Sequence, residues 1–417
     1  MSFSLFQPVI EGFWIKNYKV LKQISLGSSF QQSLVTDIEQ ELATYELTAL
    51  TTFVGASGAG KSTILDVFAF VADCLNLGLD EAFARRGGFD LVYTNGGVGP
   101  ISIGIVFRAC SEPRPLTYAL NITKRSGSTT PYIESEALLY RSSTRGAAAQ
   151  PIMFFQNGDK YTRHVVPWHN ANFADLETVK RTDQKHLALN LLGSFEDLPD
   201  VPQLKRHLEQ FHLACYTPDN AAKLIPTKFK FVQSGRLETE FKRMEEKHHF
   251  ELPSILEVIS RRIPFIEKIS FEKNEMGRPI LYFKVKDVEK PFYAHQMGEG
   301  VLRLFSHLLL FEDPMPTPLI GIEEPSACMD EGQIQAFVSQ IRHHVTEMGG
   351  TQFFVTTHQQ SLVDFMDPTE VWIFDFNNEG NVQVYRALDE LAFQGVDLNS
   401  VGPYWYTDYI YRNTHHI

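Results

Sequence analysis

The clearest chemical signal in the sequence is a lysine and a serine at the end of a glycine-rich segment. Residues 55–62 read Gly55-Ala56-Ser57-Gly58-Ala59-Gly60-Lys61-Ser62, which fits G-x-x-x-x-G-K-S, and Thr63 follows. The glycines allow the backbone to curl until several N–H groups face one centre, and such a centre favours an anion. Lys61 can reach the terminal phosphates of a nucleotide, and the Ser62 hydroxyl can ligate Mg²⁺. The segment is therefore predicted to be a phosphate-binding loop.

The segments on either side of the loop agree with this interpretation. Residues 50–54 are apolar and β-branched enough for a buried strand, and residues 64–77 carry apolar side chains at helical spacing. The motif needs a strand before it and a helix after it, and the helix adds the positive end of its dipole. The alternative, a Gly/Ser-rich turn that happens to end in Lys-Ser, is disfavoured by these flanks.

Two carboxylates and a histidine end two other apolar segments. Residues 318–322 lead into Glu323 and Glu324, and residues 351–357 lead into His358. We assign Glu323 to Mg²⁺ or its waters and Glu324 to the polarisation of an attacking water. His358 could sense the γ-phosphate and orient that water. The alternatives are an exposed acidic pair and a structural or surface histidine.

The composition is that of an ordinary globular protein. The 417 residues are 43% hydrophobic and 21% charged, which is enough apolar material for a sizeable core in two or three domains or in one domain with large insertions. The net charge of −12 argues against a generally basic nucleic-acid binder. The four cysteines are scattered without C-x-x-C, so neither a zinc site nor a disulfide framework is indicated. No segment approaches the roughly 18 apolar residues that span a bilayer, so we expect a cytoplasmic protein without a membrane part.

The chain is predicted to have three parts. Residues 1–170 form an N-terminal lobe with the loop and an antiparallel β region, because strand-like segments and an Asn157-Gly158 turn signal follow one another there. Residues 171–262 form a helical insertion or lid. Residues 263–417 form a C-terminal lobe with the two carboxylates and the histidine.

Basic residues concentrate in and after the helical part. They are Lys223, Lys228, Lys230, Arg236, Lys242, Arg243, Lys247, Arg261 and Arg262. A solvated helical face is the plain explanation. The alternative is a contact with nucleic acid or another partner, since a basic cluster on an acidic chain attracts phosphates locally. DNA therefore stays open as a partner.

Taken together, the motifs resemble an ATP-binding-cassette-type ATPase of the SMC/RecF class. They most resemble the AAA-family ATPases of overcoming-lysogenization-defect (OLD) nucleases and bacterial anti-phage systems. The resemblance also includes the opening residues 15–19 and runs from about residue 13 to 376. Its five main features are the Walker A loop 55–62, the stretch 85–93 that begins Arg85-Arg86-Gly87-Gly88, the signature-like residues 296–303, the Walker B strand with its loop 323–330, and the switch His358.

The resemblance implies an α/β fold: a P-loop NTPase, an ABC/SMC-like ATPase head with an antiparallel β lobe and a helical insertion. It implies ATP and Mg²⁺ as cofactors and two heads that sandwich two ATP molecules, hence a homodimer or higher homo-oligomer. In such composite sites Gly298, Glu299 and Gly300 would face the nucleotide of another subunit. The segment with Ser326 and Asp330 resembles the D-loop, which crosses that interface.

Three departures from the family pattern bear on the mechanism. Gly298 stands where the signature usually has Ser, so no hydroxyl is offered across the dimer. The N-terminus of a helix over residues 301–311 could still cap a γ-phosphate. Glu323 stands where the first Walker B acid is commonly Asp. For the Q-loop, Gln184 is one candidate and Gln156 a weaker one, and a third option is that no glutamine serves.

The resulting functional hypothesis is an ATP-hydrolysing sensor or switch. Its nucleotide-driven assembly would control a separate effector, a nuclease or toxin, in bacterial anti-phage defence or DNA maintenance. About 40 residues follow the last predicted core strand, too few for a fused nuclease domain. The alternatives are an ATP-binding scaffold with little turnover and, less favoured because of the weak signature, a nucleotide-binding subunit of a transporter.

Overall fold

The computed structural model describes thirteen stretches of the chain. They are residues 8–27, 46–110, 115–125, 127, 129–140, 150–156, 160–163, 177–179, 185–192, 200–215, 237–273, 279–377 and 379–389. The chain separates into two compact units: Met1–Ala49 with Ala56–Phe211 and Ile373–Tyr385, and Leu50–Gly55 with His212–Trp372 and Arg386–Ile417. The three-part division of the sequence stays a prediction. Gln184 and the turn residues Asn157 and Gly158 lie outside the described stretches.

The strands of the described stretches fall into three sheets. In chain order they are β1 (Val9–Tyr18), β2 (Leu21–Gly27), β3 (Leu50–Gly55), β4 (Ile101–Arg108), β5 (Leu116–Lys124), β6 (Pro131–Tyr140), β7 (Gln150–Gln156), β8 (Lys160–Arg163), β9 (Glu177–Val179), β10 (His212–Cys215), β11 (Ile266–Lys273), β12 (Pro279–Val285), β13 (Phe292–Tyr293), β14 (Leu319–Glu323), β15 (Gln352–Thr357), β16 (Val371–Phe376) and β17 (Val382–Arg386).

Helices occupy the intervals between the sheets' strands. In chain order they are α1 (Lys61–Leu77), α2 (Leu79–Ala84), α3 (Phe89–Val92), α4 (Leu189–Leu192), α5 (Asp200–Glu209), α6 (Leu237–Lys247), α7 (Leu252–Arg262), α8 (Glu299–Phe311), α9 (Glu331–His343) and α10 (Gln360–Val363). None of the helices in the described stretches is long and apolar enough to cross a membrane.

The first unit is built on an eight-stranded antiparallel sheet. Its strand order is β2-β1-β4-β5-β6-β7-β8-β9. Alternation of apolar residues sets the register: Ile103 of β4 pairs with Leu120 of β5, and both are buried. β7 and β8 pair as the hairpin that the sequence predicted. The antiparallel β region predicted after the phosphate-binding loop is therefore present.

Helix α1 packs within this first unit through aromatic side chains. Its Phe68 meets Phe13 of β1 edge to face, with ring centroids 5.3 Å apart. Phe68 also lies 5.9 Å from the ring of Phe211, just after α5. Most of α1 is buried, which explains why its sequence is apolar around much of its circumference. The helix that follows the loop is thus fixed by its packing along its length.

The second unit contains four parallel strands in the order β10-β14-β15-β3. β3 and β15 are buried along their whole length, as expected for central parallel strands, and this gives the continuous apolar segments seen in the sequence. β9 and β10 both fall in the segment predicted to be helical, because strands of three and four residues are too short to show a periodic pattern.

The remainder of the second unit positions α8. The small antiparallel sheet β11-β12-β13 precedes this helix along the chain. Phe305 of α8 meets Phe283 of β12 edge to face at 5.3 Å, and both rings are fully buried. His307 and Phe311 of α8 lie 5.2 Å and 5.8 Å from the ring of Phe337 in α9. This packing fixes the direction in which the first turn of α8 points.

Candidate functional site

Three of the predicted site segments meet at one edge of the parallel sheet. β14 pairs with β15 and β15 pairs with β3, with Glu323 opposite Thr356 and Thr357 opposite Val54. Because these strands are parallel, their carboxyl ends share one edge, where ligands bind in open α/β sheets. Gly55, which opens the loop, therefore lies at the same edge as Glu323 and His358. The sequence shows the three segments only as separate stretches.

The loop itself has the backbone that its glycines suggest. Gly58 and Gly60 have φ of +87° and +91°, a left-handed region that favours glycine. The Ala59 N–H donates to the Ala56 carbonyl at 3.2 Å, which closes a turn. The Lys61 ammonium donates to the same carbonyl at 2.8 Å, so the lysine folds back onto its own loop. These contacts produce a curled segment around a buried lysine.

The start of α1 is open for an anion. α1 begins at Lys61, and no side chain caps its first turn. Ser57, Gly58 and Ser62 are exposed. Uncapped N–H groups at a helix start attract negative charge. The loop therefore offers backbone donors, an ammonium and a hydroxyl, which is the donor set that a nucleotide phosphate and its Mg²⁺ require.

Glu324 is held in an unusual backbone conformation. Its φ is +46°, which non-glycine residues adopt rarely. Its N–H donates to the Thr356 carbonyl at 3.0 Å. Its carbonyl accepts from Nη1 of Arg303 at 3.1 Å. The main chain is thus fixed on both sides of the residue that we assign as the base.

The Glu324 carboxylate contacts His358 directly. Nδ1 of His358 lies 2.8 Å from Oε1 of Glu324, and the His358 backbone N–H donates to Oε2 at 3.3 Å. The two side chains remain partly exposed, at 24% for Glu324 and 50% for His358. A carboxylate on Nδ1 orients the ring and leaves Nε2 to meet a ligand. The two residues assigned to catalysis therefore form one hydrogen-bonded pair.

Glu323 and Ser62 are the residues that we assign to Mg²⁺. Glu323 ends β14 and is partly exposed, between Cys215 of β10 and Thr356 of β15 in the sheet register. Within the described stretches, no three His, Cys, Asp or Glu side chains cluster as a metal site. Mg²⁺ at a nucleotide takes one or two protein ligands beside phosphate oxygens and waters. Each taken by itself, a carboxylate and a hydroxyl are oxygen ligands of the kind that Mg²⁺ takes, and the assignment of Glu323 and Ser62 stays a prediction.

The signature-like segment packs against the loop that follows Glu324. Gly298 is the N-cap of α8, and a Cβ built on it would meet nothing within 4 Å. Gly300, in contrast, has no room, because a Cβ there would lie 2.2 Å from the Cys328 carbonyl oxygen and 2.6 Å from Oε1 of Gln333. Glycine is therefore needed at position 300 for the close approach of α8 to this loop.

Ser326 and Asp330 have structural surroundings of their own. Ser326 is buried, with 1% of its surface exposed. Asp330 is exposed, but its carboxylate accepts the Gln333 N–H at 2.9 Å and caps α9. Cys328 is exposed between them at φ +64°. The role of Ser326 and Asp330 across an interface stays a prediction.

The sequence analysis assigned no role to a buried charged network on α1. Nε of Arg86 donates to Oδ1 of Asp66 at 2.9 Å, and Nη1 donates to Oδ2 of Asp73 at 2.7 Å. Tyr18 and Lys19 approach Oδ2 of Asp66 at 2.7 Å and 2.6 Å. The nearby cations Arg86 and Lys19 lower the pKa of Asp66 despite its burial. The sequence does contain a signal of this network, because Asp66 and Asp73 are two helical turns apart on an otherwise apolar helix.

The described members of the basic cluster largely pair with acids of the same unit. Arg243 bonds to Asp313 at 2.7 Å, and Arg262 bonds to Glu312. In each of the two remaining pairs the partners lie one helical turn apart: Lys242 with Glu246 at 3.6 Å and Arg261 with Glu257 at 2.5 Å. The exposed pairs of Lys242 and Arg261 agree with the plain explanation of a solvated helical face. Arg243 and Arg262 differ, because their side chains are mostly buried against acids that follow α8. Lys223, Lys228, Lys230 and Arg236 lie outside the described stretches.

These features define the class of the protein. A parallel sheet, a glycine-rich loop between β3 and α1, and carboxylates at the end of β14 make the fold that of a P-loop NTPase with an antiparallel β lobe. A family model described as "AAA domain, putative AbiEii toxin, Type IV TA system" matches residues 50–364. The chain belongs to this AAA family, and the predicted fold class is confirmed.

Solved structures with a similar course of the chain are heads of SMC proteins. The SmcHead bound to the C-winged helix domain of ScpA has 14% identity and a TM-score of 0.44, covering 90% of this chain and 97% of that one. The Smc head with an extended coiled coil from Pyrococcus furiosus has 14% identity and a TM-score of 0.45, covering 91% and 96%. The SMC head domain from Thermotoga maritima has 13% identity and a TM-score of 0.42, covering 90% and 98%. A comparison with curated proteins finds no significant match.

Proposed function

We propose that the protein binds ATP with Mg²⁺ and hydrolyses it as a nucleotide-dependent switch. The observation that carries the proposal is the Glu324–His358 pair at the sheet edge where Gly55 opens the phosphate-binding loop. Membership of an AAA family supports a nucleotide as the ligand. A carboxylate that is held by the ring and the backbone N–H of a histidine is suited to orient a water.

The residues divide the work of hydrolysis between them. The loop N–H groups, Lys61 and the start of α1 would bind the phosphates, and Ser62 and Glu323 would hold Mg²⁺. When bound, Mg²⁺ neutralises charge on the phosphate oxygens. The Glu324 carboxylate takes up a proton from the water whose oxygen bonds to the γ-phosphorus. The bond to the bridging oxygen then breaks, which gives ADP and inorganic phosphate, and His358 orients Glu324 throughout.

The Glu324→Gln variant tests this assignment. We expect ATP affinity to stay within about twofold of wild type, because the phosphate-binding loop is untouched. Turnover should fall about a hundredfold or more, since the amide cannot act as the base, and loss of general-base catalysis typically costs 10²–10⁴-fold. The measurement is phosphate release under saturating ATP and Mg²⁺, beside nucleotide binding at equilibrium. The control is Glu312→Gln, which removes a carboxylate that pairs with Arg262 in the same unit. Wild-type turnover in the Glu324 variant would remove this residue from the mechanism.

A second candidate is an ATP-binding scaffold with little turnover. It is favoured by Gly298, which provides no hydroxyl at the start of α8. In this case the wild-type protein would bind ATP and assemble, but release of phosphate would stay near the level of the Glu324→Gln variant. Sedimentation with and without ATP, measured beside phosphate release, separates the two candidates.

The family description supports a proposal for the biological setting of the switch. The family is described by a putative toxin of a type IV toxin–antitoxin system, which supports a role in bacterial defence. We propose that assembly of two or more copies through composite ATP sites controls a separate effector protein. Purification under native conditions with ATP, followed by mass spectrometry, should recover a nuclease or toxin chain. Recovery of nucleic acid instead would favour DNA maintenance.

A further inference from the structure

Arg303 connects two segments of the candidate site in the second unit. Its residue surface is only 5% exposed, and it projects from the second turn of α8. Nη1 donates to the Glu324 carbonyl at 3.1 Å, while Nη2 donates to Oε1 of Glu299 at 3.1 Å. One planar guanidinium therefore holds the main chain of Glu324 and the side chain of Glu299 together. A fork of this kind fixes geometry better than a single ammonium can.

The carbonyl that Arg303 holds belongs to a strained residue. At φ +46°, Glu324 occupies a region that non-glycine residues keep only where their surroundings hold them. The Thr356 carbonyl restrains the Glu324 N–H, and His358 restrains its carboxylate. Arg303 provides the contact to the carbonyl. Without it, the peptide that follows Glu324 loses the hydrogen bond that opposes relaxation of φ.

The first turn of α8, which precedes Arg303, packs tightly against the loop that follows Glu324. A Cβ at Gly300 would lie 2.2 Å from the Cys328 carbonyl oxygen, so the α8 backbone and this loop are in close contact. A displacement at the start of α8 must therefore change the position of residues 324–328 or the Arg303 contacts, because packed interfaces do not deform smoothly. The start of α8 and the base are mechanically connected.

From these contacts we infer that Arg303 is a positioning residue that couples the segment Gly298 to Gly300 to Glu324. This inference rests on the proposed function, in which Glu324 orients the attacking water. A partner or nucleotide that engages Glu299 changes one arm of the guanidinium fork and, through the other arm, the backbone of Glu324. The segment at the start of α8 thus sets whether the base is held in its strained conformation.

The first test measures the backbone of Glu324 without relying on hydrolysis. We expect Arg303→Met to raise deuterium uptake of a peptide that covers residues 321–329, with exchange of the Glu324 amide about tenfold faster or more. Uptake in α9 should remain at the wild-type level, which separates local release from general destabilisation. Arg303→Lys keeps the charge but not the fork, so its deuterium uptake at residues 321–329 should lie between those of the wild type and Arg303→Met. Wild-type uptake at residues 321–329 in both variants would overturn the inference.

A matched control is available on α9. Arg342 also bonds a carboxylate and a main-chain carbonyl, Glu370 at 2.9 Å and Phe365 at 3.0 Å, and it belongs to the same unit. Arg342→Met should leave uptake at residues 321–329 unchanged. Glu299→Gln weakens the other contact of the guanidinium, and it should raise the uptake at residues 321–329 by a smaller factor than Arg303→Met. An unchanged uptake in Glu299→Gln would limit the role of Arg303 to Glu324 alone and overturn the coupling.

The second test uses kinetics and separates this inference from the proposed function. Arg303→Met should lower kcat about tenfold or more with a KM for ATP within about twofold, because a base displaced by about 1 Å is costly. In the Glu324→Gln background the same substitution should cause no further loss, since it acts through Glu324. If the wild type releases no phosphate, the proposed function fails and the uptake experiment still decides the role of Arg303. If Glu324→Gln lowers turnover but Arg303→Met does not, the positioning role alone fails.

Discussion

At the scale of single residues, the candidate site depends on a few backbone positions outside the common conformations. Glu324 and Cys328 have φ of +46° and +64°, and they lie at either end of the turn that follows β14. Left-handed conformations of non-glycine residues cost about 1 to 3 kcal/mol and persist where neighbours hold them. The hydrogen bonds from Arg303 and to Thr356, with the contact between the carboxylate and His358, are the restraints at Glu324.

Gly298 provides a prediction at the same scale. Its φ and ψ of −62° and 144° are those of an N-cap, and a Cβ there meets nothing within 4 Å. Gly298→Ser should therefore fold normally and gain a few tenths of a kcal/mol by capping α8. If composite ATP sites form, the new hydroxyl can bond a γ-phosphate, and turnover should rise about tenfold, since bonds to charged groups contribute about 1.5 to 3 kcal/mol.

The control for that experiment is Gly298→Ala, which adds the Cβ without the hydroxyl. Phosphate release is measured for both variants at saturating ATP and over a range of protein concentrations. Equal rates for the serine and alanine variants would show that the hydroxyl has no part in turnover. A rise in the rate per molecule with protein concentration would support sites shared between copies.

At the scale of elements, α1 is held in place by charge as well as by packing. Arg86 is 5% exposed at its side chain, bridges Asp66 and Asp73 of α1, and lies over the ring of Phe70. The partner charges keep Asp66 ionised, since they lower its pKa although burial alone would raise it. The stretch that begins with Arg85 and Arg86 thus stabilises the position of α1, the helix that follows the phosphate-binding loop.

Arg86→Met should destabilise the first unit more than Arg85→Met does. Removing Arg86 leaves two carboxylates short of a buried partner, which costs about 3 kcal/mol. Arg85 pairs with Asp73 and Glu81, but its side chain is 27% exposed, so its loss should cost about 1 kcal/mol or less. Urea unfolding of both variants beside the wild type measures the difference. Equal free energies of unfolding for the two variants would contradict the assigned importance of the buried network.

At the scale of the whole molecule, buried histidines set a limit to stability in acid. Burial lowers the pKa of His207 from 6.5 to about 3, and Arg206 adds to the effect. The His207 ring lies on α5 and contacts Phe107 of β4 at 5.0 Å between centroids. Burial also lowers the pKa of His344, in the second unit. The folded protein keeps these rings neutral where the unfolded chain takes up protons.

Stability should therefore fall as the pH drops below about 6.5. The unfolded chain binds a proton at His207 near pH 6.5 and the folded chain only near pH 3, so this residue alone costs about 2 kcal/mol between pH 8 and pH 5. Free energies of unfolding at several pH values test this. His207→Gln should flatten the pH dependence, although it lowers stability at pH 8, whereas the exposed His249→Gln should not. An unchanged slope in His207→Gln would show that the residue titrates normally.

Much of the fold could be predicted from the sequence because its signals are local. Apolar segments predicted β14 and β15, strand-like segments within residues 1–170 predicted the antiparallel β region, and the glycine pattern with its flanks predicted β3, the loop and α1. The strands β9 and β10 were missed because three or four residues carry no period. The pairs at Arg243, Arg262 and Arg303 were missed because their partners are far away or at a main-chain atom, which no sequence pattern records.

The sequence by itself determined the identity of the chemical groups: a lysine and a hydroxyl on a glycine-rich loop, two carboxylates and a histidine. The tertiary structure alone decided that β14, β15 and β3 are neighbours, so that Gly55, Glu323 and His358 reach one edge of a sheet. It also decided that Glu324 contacts His358 and receives Arg303 at its carbonyl. Strand order and side-chain contacts are set by the packing of the whole core, and a local motif carries no information about which distant segment will lie beside it.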